Sequence, residues 1–247
     1  MTRRLLAALV VLAVIACASP AFAQPPPPDR LDLKIDGLGT VSAPLQVVVL
    51  LTLLSFLPAI LVTMTSFTRI VIVFHFLRQA LGTQEVPSNQ ILVGLALFLT
   101  MFIMAPVGTA INDVALQPAV AGKLSVTDAV SRAVPPLRDF MLKQTREKDL
   151  ALFVQLSKTA RPQKPSDLPM QVVIPAYVTS EIKTGFQMGF FVFVPFLLID
   201  LAVSTTLLSM GMMQLPPAMI SLPFKLLLFV SVDGWSLVVG SLVRSFA

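Results

Sequence analysis

Few side chains in this 247-residue chain could do chemistry. There is one cysteine, Cys17, and one histidine, His75, so a histidine-based or cysteine-based metal cluster cannot form in one copy. His75 lies in an apolar octet between Arg69 and Arg78, where packing is a commoner role than general-base catalysis. Neither a G-x-x-x-x-G-K-[ST] phosphate loop nor a G-x-S-x-G nucleophile turn occurs. The sequence therefore predicts a protein that is not an enzyme and that needs no cofactor or metal.

Three methionines, Met210, Met212 and Met213, surround Gly211 in the middle of a long apolar run. Thioether sulfur is a soft ligand that suits Cu(I), so a copper site is one interpretation. Plain packing is a second. In a third, flexible unbranched side chains on a bent loop mould around an irregular partner and close a lumen.

Three charged residues, Asp200, Lys225 and Asp233, lie within otherwise apolar sequence. An ionised group at the centre of a membrane helix costs about 2.5–3.5 kcal/mol on insertion scales and marks a candidate site. We expect Lys225 to pair with Asp200 or Asp233, within one subunit or across a subunit boundary. A structural ion pair is favoured over a proton relay, because one pair without histidine makes a poor relay.

The composition is that of a membrane protein, with 55% hydrophobic residues, 13% charged residues and a mean hydropathy of +0.85. Residues 1–23 read as a cleaved signal peptide, with a basic start, an apolar run and Ala21-Phe22-Ala23 before the cut. Acylation of Cys17 and an uncleaved first helix are alternatives. The net charge of +5 falls when the basic leader is removed, so no nucleic-acid partner is expected.

The mature chain divides into four predicted regions. Residues 24–43 form a Pro-rich N-terminal tether, and residues 44–111 a first hydrophobic helical hairpin. Residues 112–174 form a polar periplasmic region of amphipathic helices, and residues 175–247 a second hydrophobic helical region. Prolines break the apolar runs, and broken helices survive at membrane depth only beside protein or a water-filled cavity. The predicted fold is an all-α membrane protein whose broken helical hairpins assemble into a ring.

The stretch at residues 175–190, PAYVTSEIKTGFQMGF, resembles the signature of the FliP family of flagellar biosynthetic proteins, which are export-gate subunits of type III secretion systems. Residues 66–72, 77–83, 195–200 and 222–235 also resemble the family, in its order. The positions that carry the signature here are Pro175, Ala176, Tyr177, Glu181, Gly185, Phe186 and Gly189.

The resemblance implies a core pore-forming subunit of the flagellar export gate, which conducts unfolded flagellar proteins across the bacterial inner membrane at the basal body. It implies a ring, a pentamer in the family, with FliQ, FliR and other basal-body components as partners. The segment Met210, Gly211, Met212 and Met213 would seal the closed pore. Glu181, Lys183, Asp200, Lys225 and Asp233 would be buried charges of the assembly.

Two other classes of protein remain open at this point. A proton- or solute-coupled transporter would use Asp200 and Lys225, and a membrane metalloprotein would use the methionines. The choice between a flagellum and an injectisome also remains open.

Overall fold

The computed structural model describes residues 43–83, 86–157, 167–212 and 214–246. The predicted signal peptide and almost all of the predicted tether lie outside the described residues, as does Met213. Every regular element within the described ranges is helical, in agreement with the predicted all-α class. The helices are α1 (Ala43–Met64), α2 (Phe67–Leu81), α3 (Asn89–Ile111), α4 (Gln117–Val120), α5 (Val126–Gln144), α6 (Glu147–Leu156), α7 (Met170–Ser209), α8 (Pro217–Ser231) and α9 (Gly234–Arg244).

Two continuous helical stretches of the described chain are long and apolar enough to cross a membrane. One runs from Asn89 to Val120 and includes a π-helical turn at Asn112–Leu116, and the other is the 40-residue helix α7. The number rises to four if each bent helix pair forms one span: Leu54–Met64 with α2, bent by 68°, and α8 with α9, bent by 62°. The boundary expected after residue 174 falls inside α7.

Hydroxyl side chains satisfy the backbone at the bend between α1 and α2. Thr65 Oγ1 donates to the Leu61 carbonyl, and Thr68 Oγ1 donates to the Val62 carbonyl at 2.5 Å. The hydroxyl of Tyr177, on α7, donates to the Thr65 carbonyl at 2.8 Å. Carbonyl groups released by the break thus keep partners without water, as a bend within apolar surroundings requires.

Helix α2 lies against α7, and glycines set how closely the two helices approach. A Cβ atom built on Gly185 would lie 3.1 Å from the Ile72 side chain, and one on Gly189 would lie 2.5 Å from the Phe76 ring. These glycines form a G-x-x-x-G pattern on the α7 face that meets α2. The pairing runs in parallel register, with Ile72 beside Gly185 and Phe76 beside Gly189.

Two apolar cores flank this contact. The larger core joins buried residues of α2, α3, α7, α8 and α9, including Val73, Phe74 and Leu77. The smaller core brings Met141 of α5 together with Val172, Val173 and Tyr177 of α7. Long apolar surfaces nevertheless remain exposed on this single chain, including Phe98 and Met101 on α3 and Phe191 on α7. Surfaces of this kind are covered by lipid or by neighbouring subunits.

The close approach of α2 and α7 leads to a mutational prediction. Gly189→Ala places a methyl group against Cβ and Cγ of Phe76, and that Cβ cannot move without the backbone. We therefore expect a loss of about 1–3 kcal/mol of unfolding free energy. Gly94→Ala on α3 is the matched control, because nothing lies within 4 Å of a Cβ there. That control should stabilise the helix by about 0.5–1 kcal/mol. Chemical unfolding in mild detergent measures both, and equal effects of the two substitutions would contradict the prediction.

Candidate functional site

Arg69 of α2 occupies the centre of a buried polar cluster. Its Nε donates to Glu181 Oε2 at 3.0 Å, and its Nη2 donates to Glu181 Oε1 at 2.5 Å. Nη1 donates to the Ser245 carbonyl at 3.0 Å and to Ser245 Oγ at 2.9 Å, and Nη2 also reaches Gln144 Oε1 at 3.2 Å. Glu181 on α7 is fully buried. All five guanidinium donors therefore have acceptors, which a buried arginine requires.

The C-terminal residues complete this cluster. The Phe246 ring lies under the Arg69 guanidinium, 3.8 Å from the guanidinium carbon to the ring centroid, and it stacks on Phe140 of α5. Gln144 Nε2 donates to the Phe246 carbonyl at 3.3 Å. One arginine thus joins α2, the end of α5, α7 and the residues that follow α9.

A second polar cluster attaches α6 to α7. The Asp149 carboxylate accepts hydrogen bonds from Ser180 Oγ at 2.8 Å and from the Lys183 ammonium. Arg146, just before α6, donates its backbone N–H to Ser180 Oγ at 3.0 Å and its Nη2 to Gln187 Oε1 at 2.6 Å. The hydrogen bond from Lys183 lowers the pKa of the Asp149 carboxyl below its ordinary value, and outweighs the effect of burial, which raises it.

The third cluster decides which carboxylate Lys225 contacts. Lys225 Nζ lies 2.6 Å from Asp200 Oδ2 and donates to the Ala80 carbonyl at 3.0 Å, while Ser221 Oγ donates to Asp200 Oδ1 at 2.6 Å. Ala80 is in the last turn of α2, so the buried ammonium also lies at the negative end of that helix dipole. The pair therefore joins α2, α7 and α8 within one chain.

Asp233 differs from the other charged residues of the apolar segments. It is exposed, it lies between α8 and α9, and its φ of 49° is in the left-handed region. Among the described residues, none forms an ion pair or a side-chain hydrogen bond with its carboxylate. A side chain at the next residue would force the Phe229 ring to move, because a Cβ on Gly234 would lie 2.2 Å from it.

The methionine segment forms the turn that ends α7. The N–H of Gly211 bonds to the Leu208 carbonyl at 3.1 Å, and the N–H of Met212 bonds to the Leu207 carbonyl at 3.0 Å. With Gly211 at φ 74°, this is the Schellman arrangement of a helix C-terminus. Met210 is 62% exposed and Met212 is 43% exposed, so their side chains project away from the chain that positions them.

The signature residues separate into an inner and an outer set. Ala176, Tyr177, Glu181, Gly185 and Gly189 are buried, whereas Phe186 is exposed and meets the Phe76 ring edge-on, with centroids 5.2 Å apart. Pro175 is half-buried in the first turns of α7. The described residues contain no group of three or more His, Cys, Asp or Glu side chains placed to hold a metal ion.

Sequence alone assigns no role to Arg69, Gln144, Asp149 or Ser180. The sequence feature that marks Arg69 is its position in an apolar stretch, where a charged side chain needs a polar or oppositely charged partner. Nothing in the sequence identifies that partner, since Glu181 lies 112 residues away along the chain.

The Arg69–Glu181 pair predicts a non-additive mutational pattern. Arg69→Met or Glu181→Met alone leaves a buried charge without its partner, so we expect a loss of about 3–5 kcal/mol of unfolding free energy for each. The double variant removes both charges and should lose less than the sum of the two singles. The fluorescence of Trp235, the only tryptophan, follows unfolding in mild detergent. Strict additivity would contradict the assignment.

The Asp149 cluster predicts a pH dependence. A carboxyl whose pKa is lowered by folding contributes stability that is present above its unfolded pKa, about 3.9, and is lost as the pH falls through the folded value. Asp149→Asn should therefore lower the unfolding free energy by about 1–2 kcal/mol at pH 7. The difference from wild type should shrink as the pH falls from 5 to 3.

Asp139→Asn, at an exposed position on α5, is the control and should follow the wild-type melting profile throughout. A gap between Asp149→Asn and wild type that keeps its size at pH 3 would contradict the prediction.

Comparison with known proteins agrees with the signature. The model of the FliP family matches residues 50–242. Flagellar biosynthetic protein FliP of Bacillus subtilis (strain 168) is 54% identical over 206 residues, which cover 83% of this chain and 93% of that protein. The FliP protein of Pectobacterium carotovorum subsp. carotovorum is 57% identical over 201 residues, 81% of this chain and 78% of that protein.

The similarity extends over almost the full length of a third relative. FliP of Aquifex aeolicus (strain VF5) is 44% identical over 241 residues, which cover 97% of this chain and 98% of that protein. The family model and these relatives each span most of the chain. The chain therefore belongs to the FliP family of flagellar biosynthetic proteins.

Proposed function

We propose that this chain is a core pore-forming subunit of the flagellar type III export gate, which conducts unfolded flagellar proteins across the bacterial inner membrane at the basal body. The observation that carries the proposal is the match to the FliP family over residues 50–242. The helices long and apolar enough to cross a membrane support a membrane location.

The proposed assembly is a ring of copies, five by resemblance to the family, together with FliQ and FliR. The exposed apolar faces of α3 and α7 support it, since Phe98, Met101 and Phe191 are each more than 70% exposed on the single chain. The bent pair α8 and α9 supports it as well, because a break at membrane depth needs neighbouring protein or a water-filled cavity beside it.

The proposed seal of the closed pore consists of Met210, Gly211, Met212 and Met213. Backbone hydrogen bonds position the described part of this turn, and the side chains of Met210 and Met212 are exposed. Thioether side chains have three rotatable bonds and adapt to irregular surfaces. A seal made of them could close against itself and could also fit closely around a passing polypeptide.

The geometry at Lys225 favours a gate subunit over a solute-coupled transporter. Lys225 and Asp200 contact each other and also the Ala80 carbonyl and Ser221 Oγ, so the pair holds three helices together. A coupling site must exchange such contacts for a solute or a proton during each cycle. Here the exchange would release the C-terminal end of α2.

The first part of the test is assembly. The tagged chain is extracted in mild detergent, with and without co-expressed FliQ and FliR, and analysed by native mass spectrometry. The expected result is a ring of several copies that captures both partners. A monomer or dimer that captures neither would overturn the proposal and redirect attention to Asp200 and Lys225.

The second part of the test concerns the seal. Replacing Met210, Met212 and Met213 together by alanine should leave the assembled complex intact and make it conduct small ions in planar bilayers. The control is Leu156→Ala, which removes an exposed apolar side chain of α6, in the polar region of the chain, and should leave the closed complex impermeable. Unchanged conductance of the assembled triple variant would contradict the role of the methionines.

A further inference from the structure

Asp233 is an exposed carboxylate in the middle of an apolar segment. It separates α8 from α9, two helices that are apolar enough to form one bent span. Two aromatic contacts show where Asp233 lies along α7. The Phe229 ring meets Phe196 of α7, with ring centroids 6.3 Å apart, and Trp235 meets Phe229 with centroids 5.5 Å apart. The carboxylate is thus well away from both ends of the pair.

Two cations on either side of Asp233 are already engaged, and Arg244 lies at the far end of α9, about three helical turns away. Lys225, about two turns earlier on α8, contacts Asp200 and the Ala80 carbonyl. Arg69, next to the C-terminal end of α9, has acceptors for all its donors. Within the part of the chain that the structure describes, Asp233 therefore lacks the cation that an ionised group within an apolar span needs.

The surroundings of Asp233 are those of an interface rather than of an aqueous channel. Val230, Val232 and Leu237 next to it are 76%, 47% and 53% exposed. One carboxylate within an exposed apolar surface is unfavourable against lipid, but complementary to an apolar surface that carries one positive charge.

We infer that Asp233 is an intersubunit contact: its carboxylate pairs with a Lys or Arg side chain on an apolar helix of a neighbouring membrane subunit. The inference rests on the proposed function, because it needs an assembly in which α8 and α9 meet another subunit. A single buried ion pair in an apolar interface fixes the register of the two surfaces, since any shift leaves both charges unpaired.

The test uses the complex with FliQ and FliR and three variants of this chain. Asp233→Asn keeps the shape of the side chain and tolerates the left-handed conformation, whereas Asp233→Gly removes the side chain and any backbone strain. Asp139→Asn removes an exposed carboxylate of the polar region and is the matched control. Native mass spectrometry gives the ratio of assembled to free chain, and circular dichroism checks that the free chain is helical.

We expect both Asp233 variants to lower that ratio at least tenfold, while Asp139→Asn leaves it at the wild-type value. If Asp233→Asn assembles as well as the wild-type chain, the inference is wrong, even if the ion conductance of the complex changes. Wild-type assembly by Asp233→Gly alone would also overturn it, because the residue would then act through its backbone. If wild-type chains fail to assemble with FliQ and FliR, the proposed function itself is wrong. That result differs from an assembly defect of the Asp233 variants alone, so the two failures can be told apart.

Discussion

The rest of the structure depends on the buried pair of Arg69 and Glu181. Glu181 is fully buried, and a carboxylate there remains charged only while the guanidinium is beside it. The pair also fixes the register of α2 along α7, so that Ile72 comes to lie on Gly185 and Phe76 on Gly189. Ser245 and Phe246 contact the remaining N–H groups and one face of the guanidinium, so the same group positions the residues that follow α9.

Ion pairs at two levels hold the apolar helices in place. Arg69 acts near the start of α2, and Lys225 acts at its end, where it contacts the Ala80 carbonyl and Asp200. Between these levels the inner contacts are made by apolar side chains and by close approach at glycine, whereas the outer faces of α3 and α7 are apolar and exposed. The buried charges at these two levels thus have partners within the subunit, whereas its apolar surface is left uncovered, which is the condition of a part that is completed by lipid or by other subunits.

The sequence is sufficient to predict helices, membrane-compatible spans and family, because composition, helical spacing and the 175–190 signature are local properties. It also predicts a partner for Lys225, but it leaves Asp200 and Asp233 as alternatives. Only the antiparallel return of α8 along α7 brings Lys225 beside Asp200 rather than Asp233. The Arg69–Glu181 pair is beyond sequence reasoning for the same reason, since the tertiary packing of helices distant along the chain creates it.

In the methionine turn, the backbone sets the path of the chain, and the side chains remain exposed for contacts with other molecules. Gly211 takes a left-handed conformation, and the turn bonds to carbonyls at the end of α7, so the backbone path does not depend on what the thioethers touch. The same turn directs the chain back along α7 and so brings Lys225 to Asp200. In the proposed gate, the exposed methionine side chains could therefore repack around a passing polypeptide while α7 and α8 keep their places. The ion pair between Lys225 and Asp200 would hold α7 and α8 together when a moving substrate pushes them apart.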